Sequence, residues 1–221
     1  MRNWEELKLG FARIQAAQDC RNLMAKYLYY HSAGRHAEYV DLWANRDDCA
    51  LRMPWGQYNG IEGVRQCYLA EHGTVDEAAG DPGLPFAAIH DMDTEIIEVA
   101  QDGQTAKGAW ISPGHETFPS REHPGGMEPQ WCWGRYGVDF ILEDGVWKFW
   151  HLELAPMFKC PYDKAWTDME PTGIQGNPNS KAEPITGVYE WSPTAMAPAG
   201  HPEPPLPYKT FADVGSCIKE D

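Results

Sequence analysis

The chain has 221 residues and a mass of 24.9 kDa, the size of one domain with a substantial core. It carries 33 acidic against 18 basic side chains, a formal net charge of −15. That charge repels phosphate backbones and anionic lipids, so nucleic acid and membrane surfaces are excluded as expected partners. No apolar run approaches membrane-spanning length, and the start, MRNWEELKLG, lacks an apolar signal segment, so we expect a cytoplasmic protein.

Helical periodicity dominates the first third of the chain. Cys20, Met24, Tyr27 and His31 recur at helical spacing and predict one buried face. Gly34 is expected to end this helix, because glycine adopts the left-handed backbone conformation without strain. The predicted helices span residues 11–33, 36–44 and 61–72, and residues 73–88, rich in Gly, Pro and Ala, are a predicted loop.

The middle of the chain has the alternating pattern of strands joined by short turns. Predicted strands span residues 49–55, 89–99, 105–112, 131–142 and 146–154, with turns at 56–60, 101–104 and 143–145 and a Pro/Gly-rich loop at 113–130. Helices first and antiparallel hairpins later predict an α+β fold, in which the helices pack on one face of a curved sheet.

The composition changes in the last quarter of the chain. Proline becomes frequent after residue 156, which argues against a second compact domain, yet several aromatic residues are too many for a solvated tail. We therefore predict a domain over residues 1–158 and an extended arm over residues 159–221, packed on that domain or on a neighbouring subunit.

Cysteine and tryptophan usage adds two expectations. The six cysteines are scattered without a C-x-x-C pair, which favours reduced, structural thiols. The ten tryptophans indicate either a large aromatic interior or an aromatic-lined pocket.

Four stretches resemble one known family. Tyr30-His31-Ser32 ends the first helix, ALRMPW (50–55) forms the first strand, His90 and His115 lie 25 residues apart, and DGVWKF (144–149) forms the last hairpin. Together these stretches resemble the SnoaL-like branch of the nuclear transport factor 2-like superfamily, and within it the scytalone dehydratase-like lyases. The resemblance covers roughly residues 10–165 and leaves the C-terminal arm outside it.

The resemblance implies a fold and a type of chemistry. The superfamily fold is a cone-shaped, mostly antiparallel sheet bent around N-terminal helices, with an apolar pocket at its open end. Its enzymes act without a metal or an organic cofactor, through a few polar side chains in that pocket. The helix end that carries Tyr30 and His31 would then face a substrate.

Two positions depart from the family pattern. The family Asp that orients a catalytic histidine is His31 here, and an aligned Asn is Tyr136. Loss of the Asp removes a carboxylate that would make the histidine more basic. The dehydratase mechanism therefore does not carry over intact.

The resemblance implies four catalytic candidates, and each has a purely structural alternative. His90, on a strand, is a candidate general base or a core histidine bonded to backbone. His115 is a candidate partner or a surface-loop residue. Tyr30 is a candidate donor to a developing oxyanion, or a buried tyrosine with a satisfied hydroxyl. His31 could relay a proton or stabilise the helix C-terminus.

We expect further aromatic and imidazole side chains to bind substrate, although core packing explains several of them nearly as well. Tyr136 has the strand parity of an inward-facing residue, and His151 is a weaker candidate. The full set of predicted substrate-binding residues is Tyr27, Trp55, Trp110, Trp133, Tyr136 and His151.

The histidines raise the alternative of a metal site. Three of His31, His90, His115 and His151 would suit zinc if they converged, but no short-spaced ligand pair such as H-x-x-x-H is present, so we predict no metal. Dinucleotide, P-loop and nucleophile-elbow glycine motifs are also absent from the sequence.

The sequence thus favours a cofactor-independent lyase that dehydrates a hydroxylated aromatic or polycyclic small molecule. Three alternatives stay open: a lyase that releases formaldehyde from a lignin-derived diaryl propanediol to give a stilbene, a double-bond isomerase, and a non-catalytic small-molecule binding protein. A homo-oligomer, dimer or trimer, is expected.

Overall fold

The computed structural model describes residues 3–72, 87–119, 126–168, 180–185 and 201–218. Its helices are α1 (Trp4–Ser32), α2 (His36–Val40) and α3 (Gly60–Arg65), the last continued by a π-helical turn (Gln66–Glu71). Its strands are β1 (Ala50–Met53), β2 (Gly56–Asn59), β3 (Ala87–His90), β4 (Asp93–Val99), β5 (Thr105–Ser112), β6 (Gly114–Pro119), β7 (Met127–Glu143) and β8 (Val146–Pro161).

Helix α1 begins seven residues earlier than predicted. Asn3 accepts a hydrogen bond from the backbone of Glu6, whose carboxylate accepts one from the backbone of Asn3 in return, so this capping box starts the helix at Trp4. Its end is confirmed, since Gly34 has the left-handed φ of 66°. No helix in the described ranges is both long and apolar enough to cross a membrane.

The eight strands form one open, curved sheet. The main path runs β2-β1-β8-β7-β5-β4, and β6 joins β7 to β3. Strands β1 and β8 are parallel, and the other pairs are antiparallel. Helix α1 contacts β3, β4, β5 and β8 and turns Cys20, Met24 and Tyr27 into the core. The predicted α+β fold is thereby confirmed.

The strand predictions were wrong in three places. Residues 56–59, predicted as a turn, form β2. The predicted strand 89–99 is two strands, because the chain changes partner: β3 pairs with β6, whereas β4 pairs with β5. The predicted loop 113–130 contains β6 and the start of β7. Most of the predicted loop 73–88 lies outside the described residues.

Two described segments of the arm lie on the sheet. Gln57 and Glu183 exchange backbone hydrogen bonds of 2.9 and 2.8 Å beside β2. Glycines in the sheet make room for the arm: a Cβ on Gly56 would come within 2.5 Å of Ala182, and one on Gly137 within 2.7 Å of Pro202. Residues 169–179, 186–200 and 219–221 of the arm lie outside the described ranges.

A layer of buried charges lies between the sheet and residues 216–218. Asp139 is fully buried and accepts hydrogen bonds from Lys107, from His151 Nδ1 at 2.9 Å, and from Ser216 Oγ and the Cys217 backbone at 3.2 and 2.8 Å. Burial raises the pKa of Asp139, but the hydrogen bond from His151 and the charge of Lys107 outweigh it, so the net shift is downward. The carboxylate is thus ionised and held by four donors.

Candidate active site

Four histidines meet where α1, α2, the π-helical turn and β3 converge. The ring centroid of His31 lies 5.3 Å from that of His36, 6.0 Å from that of His72 and 6.3 Å from that of His90. The His36 and His72 centroids are 5.3 Å apart. Two members, His31 and His90, were predicted as site residues, and the other two were not.

His90 is held in place by a carboxylate and a glycine. Its Nε2 donates to Glu116 Oε1 at 3.3 Å across the β3–β6 pair. Gly114 faces the ring closely, since a Cβ there would lie 2.2 Å from His90 Nδ1. Any larger residue at position 114 would displace the imidazole. The His90 side chain is 8% exposed, so it is shielded but not sealed.

Glu116 is ionised although it is largely buried. Its second oxygen accepts a 2.5 Å hydrogen bond from Lys159 Nζ on β8. Burial raises the pKa of Glu116, but the hydrogen bond from His90 and the charge of Lys159 outweigh it and lower the pKa to about 2. A carboxylate on β6 therefore faces His90, although the family Asp is missing from α1.

The other three imidazoles are neutral at neutral pH. Burial lowers the pKa of His31 well below its usual value, and the neighbouring His72 and His36 lower it further. Burial and the nearby His72 lower the pKa of His36 to about 4, and burial also lowers the pKa of His72. His31 Nδ1 and His36 Nε2 are 3.2 Å apart, so one of them carries the shared proton. Neutral imidazoles can accept protons.

Fully buried tyrosines lie under the histidines. Tyr27 stacks on His31 with ring centroids 5.9 Å apart, and Tyr68 stacks on His72 at 4.9 Å. The Tyr27 and Tyr136 hydroxyls are 3.5 Å apart. Burial raises the pKa of all three phenols, which stay protonated and able to donate. Of the predicted substrate-binding residues, Tyr27 and Tyr136 therefore lie at this site.

Tyr30 lies elsewhere. It is half-buried, and the Arg35 guanidinium sits over its ring at 4.7 Å. Tyr27 and His31 are one helical turn apart and lie on the same face of α1. Tyr30 lies to the side of that face. The expectation that Tyr30 lies within reach of His31 and His90 on one inward face does not match this placement.

His115 and Trp133 lie on the opposite face of the β6–β7 ribbon from Glu116. His115 is exposed and packs edge-on to Trp131, with centroids 6.5 Å apart. Trp133 stacks on Phe158 at 5.7 Å. The expectation that His115 shares a pocket with His90 fails because strand alternation turns Glu116, not His115, toward His90.

Three predicted substrate-binding residues remain, and they lie in different parts of the fold. His151 Nδ1 donates to Asp139 Oδ2 at 2.9 Å, and its Nε2 lies 3.1 Å from the Asp48 carbonyl oxygen, on the face covered by the arm. Trp110 is buried and donates to Glu95 Oε2 at 3.4 Å. Trp55 is the one of these three near the histidines, with its ring 6.4 Å from His72.

Sequence reasoning missed His36, His72, Glu116 and Lys159. His72 follows Tyr68 by one helical turn, so the period of the predicted helix could have indicated it. Glu116 gave no such signal, because β6 lies in a segment rich in proline and glycine, and Lys159 lies on β8 beyond the end of the predicted strand 146–154. Within the described ranges, no group of three or more His, Cys, Asp or Glu side chains is arranged to hold a metal ion.

Comparison with functionally curated proteins returns no match. Solved structures with the same fold include a scytalone dehydratase-like protein from Novosphingobium aromaticivorans, at 16% identity and TM-score 0.52, covering 71% of this chain and 93% of that one. A hexachlorocyclohexane dehydrochlorinase, LinA-type3, from Novosphingobium barchaimii matches at 18% identity and TM-score 0.51, covering 71% and 96%.

An NTF2-like protein with a cystatin-like fold from N. aromaticivorans matches at 15% identity and TM-score 0.53, covering 71% and 92%. At these identities the likeness establishes the fold. The profile of the SnoaL-like domain matches residues 12–153, which is more than half of the 221 residues. The chain therefore belongs to the SnoaL-like domain family.

Proposed function

We propose that this protein is a cofactor-independent lyase that eliminates water from a hydroxylated aromatic small molecule. The observation that carries the proposal is the placement of His90. Its Nε2 is hydrogen-bonded to the ionised Glu116, and its ring centroid lies 6.3 Å from that of His31. A general base needs a free nitrogen, a fixed orientation and a pKa not far from neutrality. The hydrogen bond from His90 Nε2 to Glu116 fixes the orientation of the ring and leaves the lone pair on Nδ1, the nitrogen that lies against Gly114.

The chemistry follows from the proton positions. Glu116 is anionic, so it accepts from His90 Nε2–H and leaves Nδ1 as the basic nitrogen of that ring. This nitrogen takes a proton from the carbon beside the leaving hydroxyl. The C–O bond breaks, the electron pair of the C–H bond becomes the new double bond, and the proton returns to the departing oxygen as water. The base is regenerated, and no redox partner is required.

His31, His36 and Tyr27 support this step. The His31–His36 pair, 3.2 Å apart, can exchange a proton without a net charge change. The ring of Tyr27 stacks on His31 and so helps to hold that imidazole in place. Aromatic rings around the histidines, among them Trp55, tilted against His72, and Tyr68, stacked on it, suit a planar aromatic substrate. The fold shared with a dehydrochlorinase and a scytalone dehydratase-like protein supports an elimination.

The proposal is tested by incubating the protein with a panel of hydroxylated aromatic and diaryl compounds and identifying the products by mass spectrometry. Loss of water supports the proposal, whereas loss of formaldehyde, a shifted double bond or an unchanged ligand would replace it with one of the alternatives. His90→Ala should stay folded and lose at least about a hundredfold in rate. His115→Ala, an exposed histidine on the other face, is the matched control and should retain its rate.

A further inference from the structure

Helix α1 carries a second apolar stripe that faces away from the core. Trp4, Leu7, Phe11 and Ile14 are separated by three, four and three residues, the spacing of the a and d positions of a heptad. They are 68%, 49%, 71% and 71% exposed. Single exposed apolar residues are ordinary, but a continuous stripe of four on one helix face is typical of an interaction surface.

A groove runs beside this stripe. Its volume is about 560 Å³, and its walls are the stripe side of α1 and the strand β4, including Leu7, Phe11, Ile14, Ile97 and Val99. Arg13 donates two hydrogen bonds to the Val99 carbonyl, at 2.7 and 3.2 Å, and so fixes the helix against the strand. Because β4 ends the main path of the sheet and pairs with β5 there, this side of the domain is an edge among the described strands.

We propose that α1 of a second copy of this chain occupies the groove, antiparallel to the first, so that the stripes of the two copies interdigitate. The same surface then serves both subunits, as a two-fold dimer requires. In this register Trp4 of one copy packs on Ile14 of the other, and Leu7 packs on Phe11. Pairing of a with d positions is the usual packing of antiparallel helices.

The area that such a dimer would bury approaches that of a specific interface. Trp4 and Phe11 alone present roughly 200–350 Å² per copy at their exposed fractions, since buried aromatic side chains each account for about 150–250 Å². Two copies therefore bury roughly 400–700 Å² through four rings. Leu7, Ile14 and the β4 wall of each groove bring the total toward the roughly 1,200 Å² at which specific interfaces begin.

Local charge and shape favour a second copy over a charged partner. The chain as a whole has a net charge of −15, but the segment from residue 3 to residue 17 holds Glu5 and Glu6 against Lys8 and Arg13 and is neutral. Two such segments do not repel each other. Gly10 lies near the middle of the stripe with nothing within 4 Å of its Cβ position, so two helices can approach closely there.

Sedimentation velocity across the micromolar range tests the proposal. The wild-type protein should sediment as a dimer, and Phe11→Glu should sediment as a monomer with unchanged circular dichroism. Ala12→Glu adds the same charge one residue away, off the stripe, and should remain dimeric. A second stripe variant, Ile14→Lys, keeps the test valid if Phe11→Glu folds poorly.

The register is tested separately by oxidising Gly10→Cys, which should form a disulfide-linked dimer near the two-fold axis, whereas Ala12→Cys should not. A monomeric wild-type protein, or an oligomer that Phe11→Glu and Ile14→Lys both leave intact, would overturn the interface. Failure of Gly10→Cys to cross-link in a stripe-dependent dimer would overturn the antiparallel register.

Discussion

His90 and Glu116 lie on paired antiparallel strands, and His90 Nε2 is 3.3 Å from Glu116 Oε1. The carboxylate that the family places on the first helix is thus supplied here from the sheet. His31 occupies the helix position instead and joins a group of neutral imidazoles. His90 therefore has a carboxylate partner that lies on β6 rather than on α1.

Glu116→Gln should lower the catalytic rate at least about tenfold, since a less well oriented base forfeits part of the roughly 10²–10⁴ it supplies. The amide keeps the size of the side chain and loses the charge. Steady-state kinetics measures the effect, and ¹⁵N spectra of the imidazoles report whether the proton stays on Nε2 of His90. Glu95→Gln is the control, because it removes a carboxylate on β4 that pairs with Arg21 of α1. Unchanged kinetics and an unchanged tautomer in Glu116→Gln would reduce Glu116 to a packing role.

Tyr30→Phe should change neither turnover nor stability by much. The Tyr30 ring lies beneath Arg35 rather than among the histidines, and substitutions of this kind typically alter stability by less than about 0.5 kcal/mol. Tyr27→Phe deletes a hydroxyl at 3.5 Å from that of Tyr136 and should cost about 1 kcal/mol of unfolding free energy. Urea unfolding and turnover of both variants make the comparison. A rate loss in Tyr30→Phe with normal stability would show that its hydroxyl reaches the substrate.

The protein should lose stability as the pH falls from about 6.5 toward 4. In the unfolded chain His36 takes up a proton near its usual pKa of 6.5, whereas in the folded protein its pKa is about 4. The unfolded state therefore binds more protons over this interval, and the folded protein loses stability as the pH falls. His31 and His72 shift in the same direction and add to it.

Glu116 affects stability only at lower pH. Its pKa is lowered from 4.5 to about 2, so its contribution to stability is lost only as the pH falls below about 4.5. Urea unfolding at several pH values between about 5 and 8 measures the slope, which is positive where the unfolded state binds more protons. His36→Gln should flatten it. A slope equal to that of the wild type in this variant would mean that other groups cause the loss.

Asp139→Ala should destabilise the protein by about 3–5 kcal/mol, because it leaves the largely buried Lys107 without its partner. The double variant with Lys107→Met should recover part of that loss, since no charge is then left unpaired. Chemical denaturation of the two variants gives the difference. If the double variant is as unstable as Asp139→Ala, the hydrogen bonds that Asp139 accepts from Ser216 and Cys217 carry the effect instead.

Local patterns predicted the elements whose partners are near in sequence. The spacing of Cys20, Met24 and Tyr27 predicted α1, and short turns predicted the hairpins β4–β5 and β7–β8. The segment between β5 and β7 was predicted wrongly as a loop. Its strand β6 forms because it pairs with β3 and β7, and its own residues do not alternate in the pattern of a strand. A strand made by its neighbours has little signal of its own.

The residues of the candidate site divide in the same way, into those that the sequence indicated and those that distant strand pairing brings in. His31 and His90 were found through the resemblance, whereas His115 was assigned by its interval to His90 and turned out to alternate away from it. Glu116 is the next residue along β6, so an error of one position separated the prediction from the observed partner. Lys159 joins the site through the β7–β8 extension, which periodicity alone did not reveal.

The order in which the chain can fold follows from the contacts of the arm. Hairpin β7–β8 closes through a short turn, but β1 meets β8 across about a hundred residues, and Cys217 meets Asp139 across 78. A growing chain that has emerged only through β8 has Asp139 and Lys107 on a sheet face without residues 216–218 over it. Association of residues 216–218 with that face therefore comes late in folding, after the strands that form the face have paired.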